Sequence, residues 1–181
     1  MKAMEKNELR RWMRRMNRAV PPEVRAAASK AIFEGVERSE AFRQARCVGL
    51  FCALADEPST EGVAARWAAT GRRVVVPRVE GDAMRFFDYD PQHLMCGAFG
   101  IEEPAADATL CPPEAIDLLV VPGVAFTAAG DRMGRGRGYY DRYLSCAAFR
   151  GRTVGVCYAH QLVASLPVEP HDVRMDEVAA G

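Results

Sequence analysis

No segment of this 181-residue chain approaches the roughly 18 consecutive apolar residues that a membrane span needs. The charged N-terminal end is not followed by the apolar core of a signal peptide. The formal net charge is zero, which argues against a dedicated nucleic-acid binder. The six cysteines form no CxxC pair, and several lie in apolar runs, as buried free thiols do. We therefore expect one domain over residues 1–181, in the cytoplasm, with neither membrane nor nucleic acid as partner.

The chain also lacks the common phosphate-binding and catalytic motifs. The P-loop pattern G-x-x-x-x-G-K-[ST] is absent, and the dinucleotide pattern G-x-G-x-x-G fails because Tyr139 stands three positions after Gly136. The three histidines have no metal-ligand spacing. No Ser-His-Asp or Cys-His arrangement can be argued from the spacings, so covalent catalysis of that kind is not indicated.

The spacing of apolar residues predicts helices that alternate with strands. Helices are expected over residues 6–19, 23–38, 61–69 (capped by Ser59 or Thr60) and 139–148, with one helical turn at 91–95. Strands are expected within residues 47–53, 73–79, 83–89, 117–121, 153–157 and 174–178. The run 117–121 is apolar throughout, which is typical of a strand buried on both faces. The pattern predicts an α/β fold, a three-layer α/β/α sandwich with a largely parallel sheet.

Residues 121–144, VPGVAFTAAGDRMGRGRGYYDRYL, carry the strongest functional signal. Glycine lets backbone N–H groups come close to a ligand, and arginine presents a cationic fork suited to phosphate. The segment interleaves these residue types: Gly134, Gly136 and Gly138 with Arg132, Arg135 and Arg137. It leads directly from the expected strand 117–121 into a helix, and ligands bind at the carboxyl ends of parallel strands. The segment therefore predicts an anion site, best suited to a polyphosphate.

The run PGVAFTAAGDRMGRGRGYYDRYL closely resembles the signature of the 5-formyltetrahydrofolate cyclo-ligase (methenyltetrahydrofolate synthetase) family. Lys6-x-x-Leu9-Arg10, Asp56-Glu57, residues 99–104 (FGIEEP) and residues 166–178 (LPVEPHDVRMDEV) also fall in that family's order, so the resemblance covers nearly the whole chain. Thr127 stands where the family commonly has Asp, and Met133 where it commonly has Leu. The family's fold is similar to the sugar-phosphate isomerase and CoA-transferase type of sandwich.

The resemblance implies ATP-dependent cyclisation of 5-formyltetrahydrofolate to 5,10-methenyltetrahydrofolate, with ADP, phosphate and Mg²⁺. In the mechanism of that family the formyl oxygen attacks the γ-phosphate, N10 closes the ring, and phosphate leaves. We also expect the protein to be a monomer. Two alternatives stay open: a non-catalytic nucleotide- or RNA-binding module on the same scaffold, and an ATP-dependent enzyme with a non-folate acceptor. Lys6, Asp141 and Asp172 together argue against the first alternative, and Glu57 argues against the second.

The site residues that the resemblance implies fall into four groups. The catalytic residues are Arg135, Arg132 and Lys6. The ATP-binding residues are Lys6, Arg10, Arg132, Met133, Gly134, Arg135, Gly136, Arg137, Gly138, Tyr139 and Tyr140. The substrate-binding residues are Cys52, Glu57, Arg135, Gly136, Arg137, Gly138 and Tyr139. The metal ligands are Asp141 and Asp172.

Taken without the resemblance, several of these residues have plainer interpretations. Lys6 and Arg10, four apart, would be a basic surface face of a helix. Asp141 would be a first-turn carboxylate that favours the helix dipole, and Asp172 a surface acid. Arg135 is expected to be an exposed loop residue, so that Arg135→Ala reduces kcat far more than stability.

Three further expectations concern side chains in and around the loop. Tyr139 and Tyr140 are adjacent on a helix, so we expect one to pack inward and the other to line the site. Phe99 is expected either to stack on a ligand ring or to belong to the core. The hydroxyl of Thr127 is expected to brace its loop.

Overall fold

The structure, a computed structural model, describes residues 5–97 and 100–181. In this part of the chain the helices are α1 (Lys6–Ala19), α2 (Pro22–Arg38), α3 (Glu40–Gln44), α4 (Val63–Ala68) and α5 (Tyr139–Leu144). The strands are β1 (Cys47–Gly49), β2 (Arg73–Glu80), β3 (Ala83–Asp88), β4 (Leu94–Cys96), β5 (Glu102–Pro104), β6 (Leu110–Cys111), β7 (Leu118–Pro122), β8 (Ala125–Phe126), β9 (Arg132–Met133), β10 (Arg152–Cys157) and β11 (Glu177–Ala180). None of the described helices has the length and apolar content to cross a membrane.

A seven-stranded sheet in the order β11-β10-β7-β1-β2-β3-β6 organises the molecule. The pairs among β11, β10, β7, β1 and β2 are parallel, whereas β3 and β6 run antiparallel at one edge. Two short hairpins, β4-β5 and β8-β9, pair apart from this sheet. The predicted α/β fold with a largely parallel sheet is confirmed.

Strand β7 shows why the fold has layers on both sides of the sheet. Leu118 and Val120 point to one face, where α2, α3 and α4 pack, and Leu119 and Val121 point to the other, where α5 packs. All four side chains are completely buried. The uninterrupted apolar run therefore reflects burial on both faces, as predicted.

Helix α1 packs outside these two layers of core, against the β8-β9 hairpin. Met13 contributes its completely buried side chain to a small cluster with Val124, Ala125 and Met133. The hairpin lies between β7 and residues 134–138, which we call the glycine-rich loop, so this cluster places α1 beside the loop. Strand β7 leads directly into the segment 121–144 as expected, and within that segment eleven residues that include the hairpin separate β7 from the glycine-rich loop.

Several predicted boundaries also differ from the observed ones. Helix α4 begins at Val63, after Gly62 in the left-handed conformation, and neither Ser59 nor Thr60 caps it. The hydroxyl of Thr60 instead accepts a hydrogen bond from the backbone N–H of Ala53. Helix α5 stops at Leu144, where the Ser145 hydroxyl donates to the carbonyl of Asp141 and competes with helix continuation.

The pairing of strands explains two further differences. The expected helical turn at residues 91–95 is wrong, because residues 94–96 form β4 and pair antiparallel with β5. The last strand lies at Glu177–Ala180, not at residues 174–178, since β10 pairs with it in that register. All six cysteines are free, and Cys47, Cys111 and Cys157 are buried, as expected for reduced thiols in a core.

Gly155 in β10 offers a test of the close approach between the sheet and Phe126. A Cβ at this position would lie 2.3 Å from a ring carbon of Phe126, which is itself completely buried. We expect Gly155→Ala to lower the free energy of unfolding by about 1–3 kcal/mol in urea denaturation. Gly35 in α2 is the matched control, since a Cβ there meets no atom within 4 Å. Gly35→Ala should stabilise by about 0.5–1 kcal/mol, and equal effects of the two changes would refute this account.

Candidate active site

The glycine-rich loop, residues 134–138, joins β9 to α5. Gly136 and Gly138 have φ angles of 103° and 70°, in the left-handed region that favours glycine. Gly138 immediately precedes the first residue of α5. Before the loop, the Thr127 hydroxyl donates to the Asp131 carboxylate and accepts from the Asp131 backbone N–H, so it braces the β8-β9 turn as expected.

Arg132 anchors the start of this loop from a buried position. Its side chain is only 3% exposed, and its Nη1 donates to the carbonyl of Pro122 at the end of β7. Its Nη2 donates to the Asp141 carboxylate on α5 at 3.1 Å. A Cβ on Gly134 would approach Arg132 Nη1 to 2.9 Å, so glycine leaves room for the guanidinium.

Arg135 folds back from the loop onto two buried carboxylates. Its Nε donates to Glu57 at 2.8 Å and its Nη2 to Asp56 at 2.7 Å. Burial by itself lowers the pKa of Arg135, but the two carboxylates outweigh this effect and hold it above its ordinary value. The guanidinium is 27% exposed, and each carboxylate side chain is 6% exposed. The expectation of an exposed loop residue is therefore wrong for Arg135.

A cavity of about 350 Å³ opens between the loop and the carboxyl ends of β1 and β2. Its apolar wall includes Phe51, Pro77 and Met84. Its charged lining consists of Arg14, Arg132, Arg135, Arg137, Glu57 and Glu103. A flat aromatic ligand with hydrogen-bond donors fits such a lining, because the apolar wall accepts ring faces and the carboxylates accept N–H groups.

Most of the predicted substrate-binding residues line this cavity. They are Cys52, Glu57, Arg135, Arg137, Gly138 and Tyr139. Tyr140 lines it too, so both tyrosines face the cavity, whereas we expected only one. Burial is the largest effect that raises the pKa of the Tyr140 phenol, and the negative charge of the nearby Glu57 is the next largest. Burial also raises the pKa of the Cys52 thiol, to about 12. Both groups are therefore neutral at physiological pH.

The remaining loop residues lie outside the cavity lining. A Cβ on Gly136 would face the Arg10 guanidinium at 3.6 Å. The side chain of Met133 packs into the cluster that Met13 of α1 forms with Val124 and Ala125, so its backbone is the part of Met133 that lies beside the loop. Phe99 lies outside the described residues.

Helix α1 brings two of the predicted cations to the other side of the loop. The Nε of Arg10 donates to the carbonyl of Gly134 at 2.9 Å. The ammonium of Lys6 contacts Asp172 at 3.0 Å and Glu169 at 3.1 Å. Burial lowers the pKa of Lys6, but the hydrogen bonds and charges of these two carboxylates outweigh it and raise the pKa above its ordinary value.

The predicted metal ligands, Asp141 and Asp172, lie in adjoining segments. The backbone N–H of Val173 donates to Asp141 Oδ1, which ties the chain next to Asp172 to the start of α5. Each carboxylate oxygen has two lone pairs, so Asp141 can accept from Arg132 and Val173 and still bind a cation. Hard oxygen donors of this kind suit Mg²⁺. The residues present therefore fit that ion.

Ligand atoms of Glu169, His171 and Asp172 also lie within 4.8 Å of one another. Glu169 and His171 are exposed, and exposed acidic groups of this kind are common on protein surfaces without an ion. We assign it no metal.

The model of the 5-formyltetrahydrofolate cyclo-ligase family matches residues 2–181. The chain belongs to this family. A 5-formyltetrahydrofolate cyclo-ligase of Mycolicibacterium smegmatis is 30% identical over 190 aligned positions, which cover 98% of this chain and 94% of the relative. The cyclo-ligase of Escherichia coli is 29% identical and covers 92% of this chain and 94% of its own length.

Solved structures of the family share the fold. The 5,10-methenyltetrahydrofolate synthetase of Aquifex aeolicus superposes with a TM-score of 0.87 at 31% identity, over 98% of this chain and 90% of that protein. The synthetase of Mycoplasma pneumoniae superposes with a TM-score of 0.79 at 22% identity, over 97% and 98% of the two chains, and supports the fold alone.

Sequence reasoning missed three charged residues of the site. Arg14 lines the cavity from α1, and its position four residues after Arg10 was the available signal. Glu103 is buried in β5 beside Gly97, where a Cβ would overlap its carboxylate. Asp56 holds Arg135, but nothing in the sequence marks a partner 79 residues away.

Removing Arg135 tests the contact between loop and cavity. Arg135→Ala leaves two buried carboxylates without their cation, so we expect the free energy of unfolding to fall by about 2–3 kcal/mol. This is below the range of about 3–5 kcal/mol for fully buried pairs because the guanidinium is 27% exposed. Adding Glu57→Gln to Arg135→Ala should recover part of the loss in a double-mutant cycle of urea denaturation. An unchanged stability of Arg135→Ala would show that the pairing contributes little.

The Lys6–Asp172 pair predicts a pH effect. Burial raises the pKa of Asp172, but the Glu169 backbone N–H and Lys6 outweigh it and lower the pKa below its ordinary value. A lowered folded-state pKa stabilises above the unfolded-state pKa, and that contribution is lost as pH falls through the folded-state pKa. Lys6→Met should therefore raise the pKa of Asp172 and shrink the acid-dependent loss of stability, measured by carboxyl NMR titration and denaturation. Lys30→Met, at an exposed pair with Glu34, is the control and should leave Asp172 unchanged.

Proposed function

We propose that the protein cyclises 5-formyltetrahydrofolate to 5,10-methenyltetrahydrofolate at the expense of ATP, which becomes ADP and phosphate. One observation carries the proposal: the glycine- and arginine-rich loop and the buried Glu57 line the same cavity and are joined through Arg135. A phosphate-binding element and an acceptor for N–H groups are what the two substrates require. Membership in the cyclo-ligase family supports the same reaction.

The chemistry needs activation of a poor leaving group. The formyl oxygen attacks the γ-phosphorus, and the bond to the β,γ-bridging oxygen breaks with its electron pair going to ADP. N10 then attacks the activated formyl carbon and loses its proton to solvent, and the C–O bond breaks to release phosphate. No covalent bond to the protein is needed, because catalysis of phosphoryl transfer is positioning and charge stabilisation.

The triphosphate is assigned to the loop and α1. Lys6 and Arg10 lie on α1, where Arg10 contacts the loop and Lys6 contacts Asp172. These two cations and the backbone N–H groups of residues 134–138 are proposed to bind the phosphate oxygens. Arg132, Met133, Tyr139 and Tyr140 flank this loop in sequence and complete the proposed ATP site. Arg135 is proposed to turn to the transferring phosphoryl group while the pterin takes over hydrogen bonding to Glu57.

The folate is assigned to the cavity. Amino and ring N–H groups of the pterin are donors, and Glu57 accepts them. Phe51 and Tyr140 give apolar surface for the ring, and neutral Cys52 adds a small polarizable wall. Mg²⁺, held by Asp141 and Asp172, would neutralise charge on the phosphate oxygens.

The other parts of the proposal concern the setting of the reaction. We propose a cytoplasmic monomer with no nucleic-acid partner. The free, buried thiols support a reducing compartment, and the zero net charge argues against nucleic acid.

The growth of methenyltetrahydrofolate absorbance tests the proposal directly. We expect absorbance to grow when purified protein is mixed with 5-formyltetrahydrofolate, ATP and Mg²⁺, and to stay flat when any one of the three is omitted. A protein that binds ATP but forms no methenyl product would favour a non-folate acceptor. Steeply salt-dependent RNA retention without turnover would favour the non-catalytic module. Thr127→Asp is the first variant to measure if turnover is absent.

A further inference from the structure

One face of α1 runs along the whole site. Lys6, Arg10 and Arg14 are spaced four residues apart and therefore share a side of the helix. Lys6 contacts Asp172, Arg10 contacts the carbonyl of Gly134, and Arg14 lines the cavity. One turn further, the amide of Asn17 donates to the carbonyl of Asp56. Arg14 thus lies between the contact with the glycine-rich loop and the contact with the carboxylate end of the cavity.

Arg14 differs from the other site arginines in its lack of a partner. Within residues 5–97 and 100–181, its Nε is buried and has no hydrogen-bond acceptor. Arg10 and Arg135 donate from their Nε atoms to a carbonyl and a carboxylate. The Nε of Arg132 is also buried without an acceptor, but its two Nη atoms donate to Pro122 and Asp141. A buried donor without an acceptor is costly, and such groups in native proteins call for an explanation. Because Arg14 lines the cavity, an anionic ligand bound there would supply the missing acceptor.

The position of Arg14 identifies the ligand group. An arginine only donates hydrogen bonds, so its partner is an acceptor, and the positive charge of the guanidinium favours an acceptor that carries negative charge. The pterin offers N–H donors to Glu57 at the carboxylate end, and the ATP phosphates belong to the loop. In the proposed reaction, the negatively charged oxygens that move from the loop toward the carboxylate end of the cavity are those of the transferring phosphoryl group.

We propose that Arg14 is a further catalytic residue, which binds the γ-phosphoryl group of ATP as it transfers to the formyl oxygen. The inference rests on the proposed function. The guanidinium donates N–H bonds to the equatorial oxygens while the bond to the bridging oxygen breaks and the bond to the formyl oxygen forms. No proton leaves Arg14, and its charge offsets the charge of the transferring group.

Replacement of Arg14 tests the assignment, and α1 offers matched controls. Arg11 and Arg15 are exposed arginines on the same helix. We expect Arg14→Ala to lower kcat by about 10²-fold or more, as loss of one preorganised donor does, and to change the KM for folate by less than about threefold. Arg14→Lys should recover part of kcat, and added guanidinium should rescue Arg14→Ala. Arg11→Ala and Arg15→Ala should retain wild-type kcat.

Nucleotide binding gives a readout that does not need turnover. In calorimetry, Arg14→Ala should weaken binding of the non-hydrolysable ATP analogue AMP-PNP by about tenfold and leave binding of ADP unchanged. Thermal melting of each variant checks that it is folded. If the wild-type protein binds AMP-PNP but does not cyclise 5-formyltetrahydrofolate, the proposed function fails, and this comparison still decides the contact between Arg14 and the γ-phosphate.

Three results would overturn the assignment of Arg14. An unchanged kcat in Arg14→Ala removes it from the reaction. Equal weakening of AMP-PNP and ADP places it on the α- or β-phosphate. A higher KM for folate with normal kcat and normal nucleotide binding makes it a contact for a folate carboxylate instead.

Discussion

The buried guanidinium of Arg132 is the contact on which the geometry of the site depends. It joins β9 to the end of β7 through Pro122 and to α5 through Asp141. Asp141 in turn accepts from Val173, which ties the C-terminal segment to the same point. A cation that is 3% exposed is tolerated because Pro122 and Asp141 replace the water that its two Nη atoms have lost, although its Nε has no acceptor among the described residues. The glycine-rich loop is therefore flexible by composition but fixed at both ends.

Local sequence patterns were sufficient to predict the elements whose buried residues recur at a regular spacing in their own sequence. Helix α1 and strand β7 are examples, because apolar periodicity in one and an unbroken apolar run in the other report directly on the surfaces they cover. The hairpins β4-β5 and β8-β9 have strands of only two or three residues. Strands this short carry too few residues for an alternation of apolar and polar side chains, so no local pattern predicted them.

The candidate site also has one part that the local sequence predicts and another part that it does not. The position of the loop beside the cavity could be predicted because an alternation of glycine and arginine is typical of the anion site that we propose there. The partners of those arginines could not be predicted, since Arg135 meets Glu57 78 positions away in the chain. That contact also makes the loop and the cavity one electrostatic unit. A ligand that takes Glu57 changes what Arg135 is free to bind.

The position of α1 in the fold has a consequence for how the protein folds during its synthesis. The helix is synthesised before the segments it contacts, since its polar contacts are with residues 39, 124 and 166 positions further along the chain. Its apolar contact, at Met13, is with a hairpin that ends at Met133. A nascent chain folds as its segments emerge, and contacts of long sequence separation form late. Helix α1 must therefore wait for residues as far along the chain as Asp172, and its side of the candidate site becomes complete only after they have been synthesised.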